Sequence, residues 1–263
     1  MEKLDIINLG GISSYLGSGI CMINKYKFYN TNTLLCYHNT DNAILKFGLD
    51  DWNKFIETSQ ISNYTKVRVI DKLSGIDFIS PSGTPYIVGI MKEMNPDLVR
   101  TTVVNTIKNT FSIYGINIIF PTPSVWGPGG IYVNDVFKIV VSPFYTIGLD
   151  YPNTIFGLCF KLSWDIIQDD VIKKDKLITG TCWKQFLHDT LRNSILLFNE
   201  VLPTVTYNDF ILTLYNELAN ELNLEINNRE LTLEEVELIA HIEESHSNTN
   251  WIENAIHPDF PVL

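Results

Sequence analysis

Two periods of apolar residues alternate along this chain, and they divide it into segments. Leu4 to Asn8 reads as a short strand closed by Gly10-Gly11, and the stretch through Gly17 and Gly19 to Tyr37 reads as short strands with turns. Asp41-Asn42 is placed to cap a helix in which Leu45, Leu49, Trp52 and Ile56 share a face. Lys66 to Ile70, Asp77 to Ile79 and Pro85 to Met91 read as strands, the last two joined by a Pro81-Ser82-Gly83 turn. Asn95-Pro96-Asp97 is a strong helix start: a cap, a proline at the first helical position, and an acid at the positive end of the dipole. That helix carries Val104, Ile107, Phe111 and Tyr114 and stops at Gly115. A strand over 116–120, a Trp126-Gly127-Pro128-Gly129-Gly130 loop, a hairpin from Ile131 through Asn134-Asp135 to Val141, and a strand over 154–163 follow. From Thr181 the period becomes helical. Three helices are predicted, over 184–200, over 208–222 with Asn208 or Asp209 at its start, and from the Thr232/Glu235 capping box to His246.

Strands that arrive in hairpins, with helices between and after them, predict an α+β fold: a mixed or antiparallel sheet with packed helices and a helical C-terminal extension. Pattern and charge both change near 223–228, so the expected division is a body over 1–224 and an extension over 225–263.

Charge sharpens that division. The chain has 263 residues, 30 acids, 19 bases and a formal charge of -11. Residues 225–263 hold nine of the acids and one base, Arg229, so the extension carries -8 and the body -3. With four arginines in all, the chain is poorly equipped for phosphate backbones, and nucleic acid is not an expected partner. No apolar run reaches the ~18 residues of a membrane helix, and MEKLDIINLGG is not an export signal, so a cytoplasmic location (or an intracellular, virion-associated one) and no membrane contact are expected. Four separated cysteines make no CxxC pair, and no metal site is expected. The extension's helix is amphipathic, and Trp251, Ile252, Ile256, Phe260, Val262 and Leu263 follow it. The segment 231–263 is therefore predicted to dock, on its own body or on a partner.

Walker, GxSxG and HExxH motifs are absent. His241 and His246 stand five apart, off the four-residue spacing that puts two helical ligands on one face, and read as solvated surface. Lys66, Arg68 and Lys72 cluster on or beside one strand, as a phosphate contact or as a solvated edge that discourages strand pairing. Three words stand out: SGIDFISPSGTPYIVGI (74–90), VWGPGGIYVNDVFKIVV (125–141) and FGLCFKLSW (156–164).

In their order these words resemble the catalytic domain of the biotin and lipoate protein ligase family, and the resemblance covers roughly residues 35–222. It implies a class II aminoacyl-tRNA synthetase/biotin ligase-like fold and a reaction in which ATP, with Mg²⁺, activates a small carboxylic acid. The acyl group then passes to a carrier-protein lysine. It also implies roles for residues. Lys138 on the hairpin would bridge the two anions, Lys72, Gly75 and Gly83 would meet the phosphates, and Trp126 would wall the site. Each has a plain alternative: a solvent-facing strand lysine, ordinary turn glycines, a packing anchor. The family's arginine- and glycine-rich phosphate loop is here Asp71-Lys72-Leu73-Ser74-Gly75, and Lys138 falls one residue off the family's spacing, which only a bulge or a longer turn would restore. Two functions are expected on this basis: a ligase of that type, or a catalytically inactive protein of the same fold acting as a structural or assembly component through subunit contacts.

Overall fold

In a computed structural model of the chain, the described residues are 2–20, 31–47, 64–69, 75–80, 82–119, 131–133, 139–147, 153–160 and 197–260. They form strands β1 (Lys3–Ile12), β2 (Asn32–Asn39), β3 (Ala43–Phe47), β4 (Thr65–Val69), β5 (Gly75–Ser80), β6 (Pro85–Met91), β7 (Ile118–Ile119), β8 (Ile131–Val133), β9 (Ile139–Ile147), β10 (Thr154–Phe160) and β11 (Glu225–Asn228). The helices are α1 (Ser14–Ile20), α2 (Pro96–Ile113), α3 (Phe198–Val201), α4 (Tyr207–Leu222), α5 (Leu233–Ser247) and α6 (Thr249–Asn254).

Eight strands make one mixed sheet in the order β11-β1-β2-β6-β10-β9-β8-β7, and β4-β3-β5 make a second, smaller one. β1 runs parallel to β2 and to β11, while β2–β6, β6–β10, β10–β9, β9–β8 and β8–β7 are antiparallel. The fold is α+β, as expected.

Both faces of the large sheet are covered. On one, α2 and α4 pack Val103, Ile107, Phe111, Phe210 and Leu214 against Leu34, Ile87, Phe156 and Phe160. Gly89 sits where an added Cβ would stand 2.1 Å from the Phe156 ring, so the absent side chain lets β6 and β10 share that layer. On the other face, Ile12, Leu16, Ile20 and Ile242 pack against Ile7, Leu35, Val88, Ile90 and Ile155.

Local signals hold where the backbone's own needs decide the outcome. Asn95 accepts from the Asp97 N–H and starts α2 beside Pro96, and Gly115 follows it at φ +78°. Thr232 and Glu235 make the reciprocal capping box of α5. The cap of α4 is Thr206, ahead of the predicted Asn208 or Asp209.

Three expectations are corrected. Residues 43–47 form a strand rather than a helix, because the proposed caps are engaged elsewhere: Asp41 Oδ1 accepts from the Ser14 N–H and hydroxyl, and Asn42 Oδ1 accepts from the Ser82 N–H. Ser14–Ile20 forms a helix rather than strands and turns. Its two glycines, poor for helix propensity, permit close approach: an added Cβ at Gly19 would lie 2.2 Å from Ile242 Cγ2, and one at Gly17 3.3 Å from the Tyr37 ring. His246 is 1% exposed rather than solvated. The predicted 48–56 part of the first helix and the 184–196 part of a later one lie outside the described residues.

At the proposed boundary, Asn223 closes α4 in the left-handed conformation and the chain enters β11 directly. The acidic extension thus supplies the edge strand of the main sheet. Arg229 fastens it: Nε donates to Asp5 Oδ2 at 2.7 Å, and Nη1 and Nη2 donate to the two Glu235 oxygens at 2.7 Å each.

Candidate active site

The register of the central strands defines one candidate face. Across it Tyr37 pairs with Tyr86 and Leu35 with Val88, while β10 sets Cys159 opposite Tyr86, Gly157 opposite Val88 and Ile155 opposite Ile90. Alternation puts Tyr86, Val88, Ile90, Ile155, Gly157 and Cys159 on the side away from α2 and α4. Gly157 is the residue without a side chain in this row, paired with Val88 of β6 and with Phe144 of β9. Leu16 and Ile20 of α1 and Ile242 of α5 cover this row. At the β5–β6 end the face closes with the stacked rings of Tyr37 and Tyr86, 5.3 Å apart, and the Tyr37 hydroxyl donates to the Gly17 carbonyl. On the helix side, by contrast, a void of about 10 Å³ lined by Leu34, Ile107, Phe156 and Tyr215 has room for a single water at most.

Gly83 stands at the β5–β6 turn at φ +85°, which explains the glycine. Its N–H donates to the Asn39 carbonyl at 2.7 Å, the Ser82 N–H to Asn42 Oδ1, and the Ser82 hydroxyl to the Thr40 carbonyl. These bonds fasten the turn to the β2–β3 connection. Gly75 is the first residue of β5, paired with Phe47 of β3. Lys72, Trp126 and Lys138 lie outside the described residues. The β8–β9 hairpin has a register shift, Ile131 facing Val141 and Tyr132 facing Ile139, so a one-residue irregularity lies just beyond Lys138.

Arg68 departs from both readings of the basic cluster. It is 1% exposed on β4, its Nε donates to the Ile252 carbonyl at 3.0 Å, and its guanidinium lies 5.9 Å from the Trp251 ring centre. Lys66 pairs with Glu253 at 2.7 Å. Both cations hold the C-terminal segment. Two further groups, half-buried Cys36 and buried Tyr215, carry shifted titrations. Burial pushes the Cys36 thiol up to about 11, against a smaller opposing effect of its 2.6 Å contact with the Tyr215 hydroxyl, and burial also pushes Tyr215 upward. Neither group serves as a nucleophile or base near neutral pH.

Sequence reasoning missed the Tyr37–Tyr86 pair and the place of Gly157 in this row. Both faces of β6 and β10 are buried, so alternation leaves no polar mark there, and only the pairing register sets these residues side by side.

The fold can be compared with solved structures. A bi-partite lipoate protein ligase from Thermoplasma acidophilum, from a structural analysis of an archaeal lipoylation system that includes its E2 lipoyl domain, matches over 97% of both chains with a TM-score of 0.74 and 10% identity. The chain has the fold of the lipoate-protein ligases. A lipoate-protein ligase A bound with ATP matches at 0.72 with 12% identity, over 97% of this chain and 99% of that one. LipL1 of P. falciparum in complex with lipoate matches at 0.67 with 13% identity, over 96% of this chain and 74% of that one. No family model matches the sequence, and no curated protein matches it. Among the described residues no helix is long and apolar enough to cross a membrane, and no three His, Cys, Asp or Glu side chains converge as a metal site.

Proposed function

We propose that this chain is an ATP-dependent ligase that activates a small carboxylic acid of the lipoate, octanoate or biotin kind and transfers it to a carrier-protein lysine. The observation that carries the reading is the ligase fold over nearly the whole chain, shared with structures solved with ATP and with lipoate. ATP, with Mg²⁺, supplies the activation: a carboxylate oxygen attacks the α-phosphorus, pyrophosphate leaves, and the carrier amine then takes the acyl group as AMP departs. Lys138 is the cation assigned to the charge that builds on carboxylate and α-phosphate. Lys72 and the backbone at Gly75 are assigned to the phosphates, and Trp126 to the wall. Gly83 is given the supporting task of fixing the β5–β6 turn.

The test measures ATP–pyrophosphate exchange with lipoate, octanoate and biotin in turn. Exchange dependent on one acid, reduced at least ~10²-fold in Lys138→Ala, is expected. Because the archaeal ligase of this fold is bi-partite, calorimetric binding of ATP and acid is measured alongside. Binding without exchange points to a second chain. Binding of neither ligand removes the reading.

A further inference from the structure

The segment from α5 to Phe260 lies against α1 and β4, and its contact is built on aromatic and cationic side chains that the candidate face does not use. Trp251 is 0% exposed, and His246, His257 and Arg68 are each 1% exposed. Ring centres lie 4.8 Å apart for His246–His257, 5.0 Å for Trp251–His257 and 5.1 Å for His257–Phe260.

Hydrogen-bond accounting assigns the tautomer of His246. The Ser18 hydroxyl donates its single proton to the Tyr15 carbonyl at 2.8 Å. At 3.2 Å from His246 Nδ1 it can therefore only accept, so Nδ1 carries the ring proton. Nε2 then holds a lone pair, and it is buried with no hydrogen-bond partner among the described residues. A proton arriving at Nε2 would be a buried charge with no acceptor among the described residues.

Among the described residues the charged surroundings do not compensate. β4 contributes two cations, Arg68 and Lys66, the latter paired with Glu253 of α6. α1 contributes Tyr15 but no carboxylate. On α5 itself, Glu243 accepts from the Ser13 hydroxyl. Asp259, the carboxylate that favours protonation, accepts from the Ser245 hydroxyl and contacts His241 Nε2. Burial first, and His257 second, hold His246 down to about 3, against an ordinary 6.5.

The docked segment also bears on the site. β4 ends at Val69, and residues 70–74, which include Lys72, join it to Gly75 of β5. The bonds from Arg68 and Lys66 to Ile252 and Glu253 thus fix the strand that leads into that connection.

We propose that the segment from α5 to Phe260 is an acid-released clasp: docked, it holds β4 in place, and protonation at His246 Nε2 undocks it. The consequence for nucleotide binding rests on the ligase reading. The release itself does not.

The experiment is hydrogen–deuterium exchange of the full chain at pH 7.5 and pH 5.0, corrected for intrinsic exchange, on wild type, His246→Phe and His246→Asn. With 6.5 for the released ring and about 3 for the docked one, the opening equilibrium rises roughly thirty-fold at pH 5.0. Protection in α5, α6 and β4 should fall by about that factor while α2 and β10 keep theirs, and either variant should flatten the response. Unchanged protection of α5 and α6 in wild type, or loss spread equally over α2 and β10, overturns the proposal even if neither variant folds. Loss in α5 and α6 with β4 still protected overturns its coupling to β4. Fluorescent ATP-analogue binding is followed in parallel. Failure to bind at pH 7.5 counts against the ligase reading alone, whereas binding at pH 7.5 that weakens with tail release supports both.

Discussion

Replacing Arg229 with methionine should be the most damaging single change to the way the C-terminal extension is held. Arg229 bridges Asp5, 7% exposed on β1, and Glu235, 4% exposed on α5, and it pairs with Glu235 through two parallel bonds. Without it, two nearly buried carboxylates would keep their desolvation cost and lose their counter-charge. Breaking a buried pair this way costs about 3–5 kcal/mol. The Arg229 side chain is 23% exposed, which favours the lower figure, about 3. Burial pulls both carboxyls upward, but hydrogen bonds outweigh it and hold both below their ordinary range: from Asn227 and Arg229 at Asp5, and from Arg229 and Thr232 at Glu235. Carboxylates held low contribute stability that is present above their unfolded values of 3.8 and 4.5 and is lost as pH falls through the folded ones. In Arg229→Met the bonds from Asn227 and Thr31 to Asp5 and from Thr232 to Glu235 remain, but burial meets less opposition, both carboxyls move up, and protonation relieves part of the damage. Urea denaturation at pH 7.5 and pH 5 measures this. A loss of about 3 kcal/mol at pH 7.5 that shrinks at pH 5 is expected. A loss below ~1 kcal/mol, or an equal loss at both pH values, would refute the argument.

Further changes test the packing and the chemistry. Gly89→Ala drives a methyl into the Phe156 ring and should cost about 1–3 kcal/mol, seen as a fall in Tm. Gly19→Ala meets Ile242 and His246, and should loosen α5 more than α2 in hydrogen exchange. Thr232→Ala removes the hydroxyl half of the α5 capping box and should cost ~1 kcal/mol in chemical denaturation. With its thiol raised to about 11, Cys36 should resist alkylation at pH 8 in the folded chain and react once urea unfolds it, read by peptide mapping.

Capping is where the sequence spoke most plainly. Asn95-Pro96, Gly115 and the Thr232/Glu235 box satisfy backbone groups within a few residues, so neighbours in sequence decide them. The same logic misled at Asp41-Asn42, whose side chains cap α1 and the β5–β6 turn from a distance. It misled again at Gly17 and Gly19, where contact with Tyr37, Ile242 and His246 overrides a poor propensity. Of the candidate site, the order of elements was legible, but the face around Gly157 was not, because the pairing of β2, β6, β9 and β10 assembles it from residues as far apart as Leu35 and Cys159.

Charge followed the same division. The excess of acid in residues 225–263 was readable as a tally, and it marked a segment apart. Only the tertiary structure turned that segment into the edge strand and clasp of the body, because the groups that fasten it are Asp5, Ser18, Lys66 and Arg68, brought to it from the other end of the chain. Local sequence determines what nearby backbone atoms need. Which distant side chain meets a buried charge or fills the space left by a glycine is fixed only when the sheet closes its register.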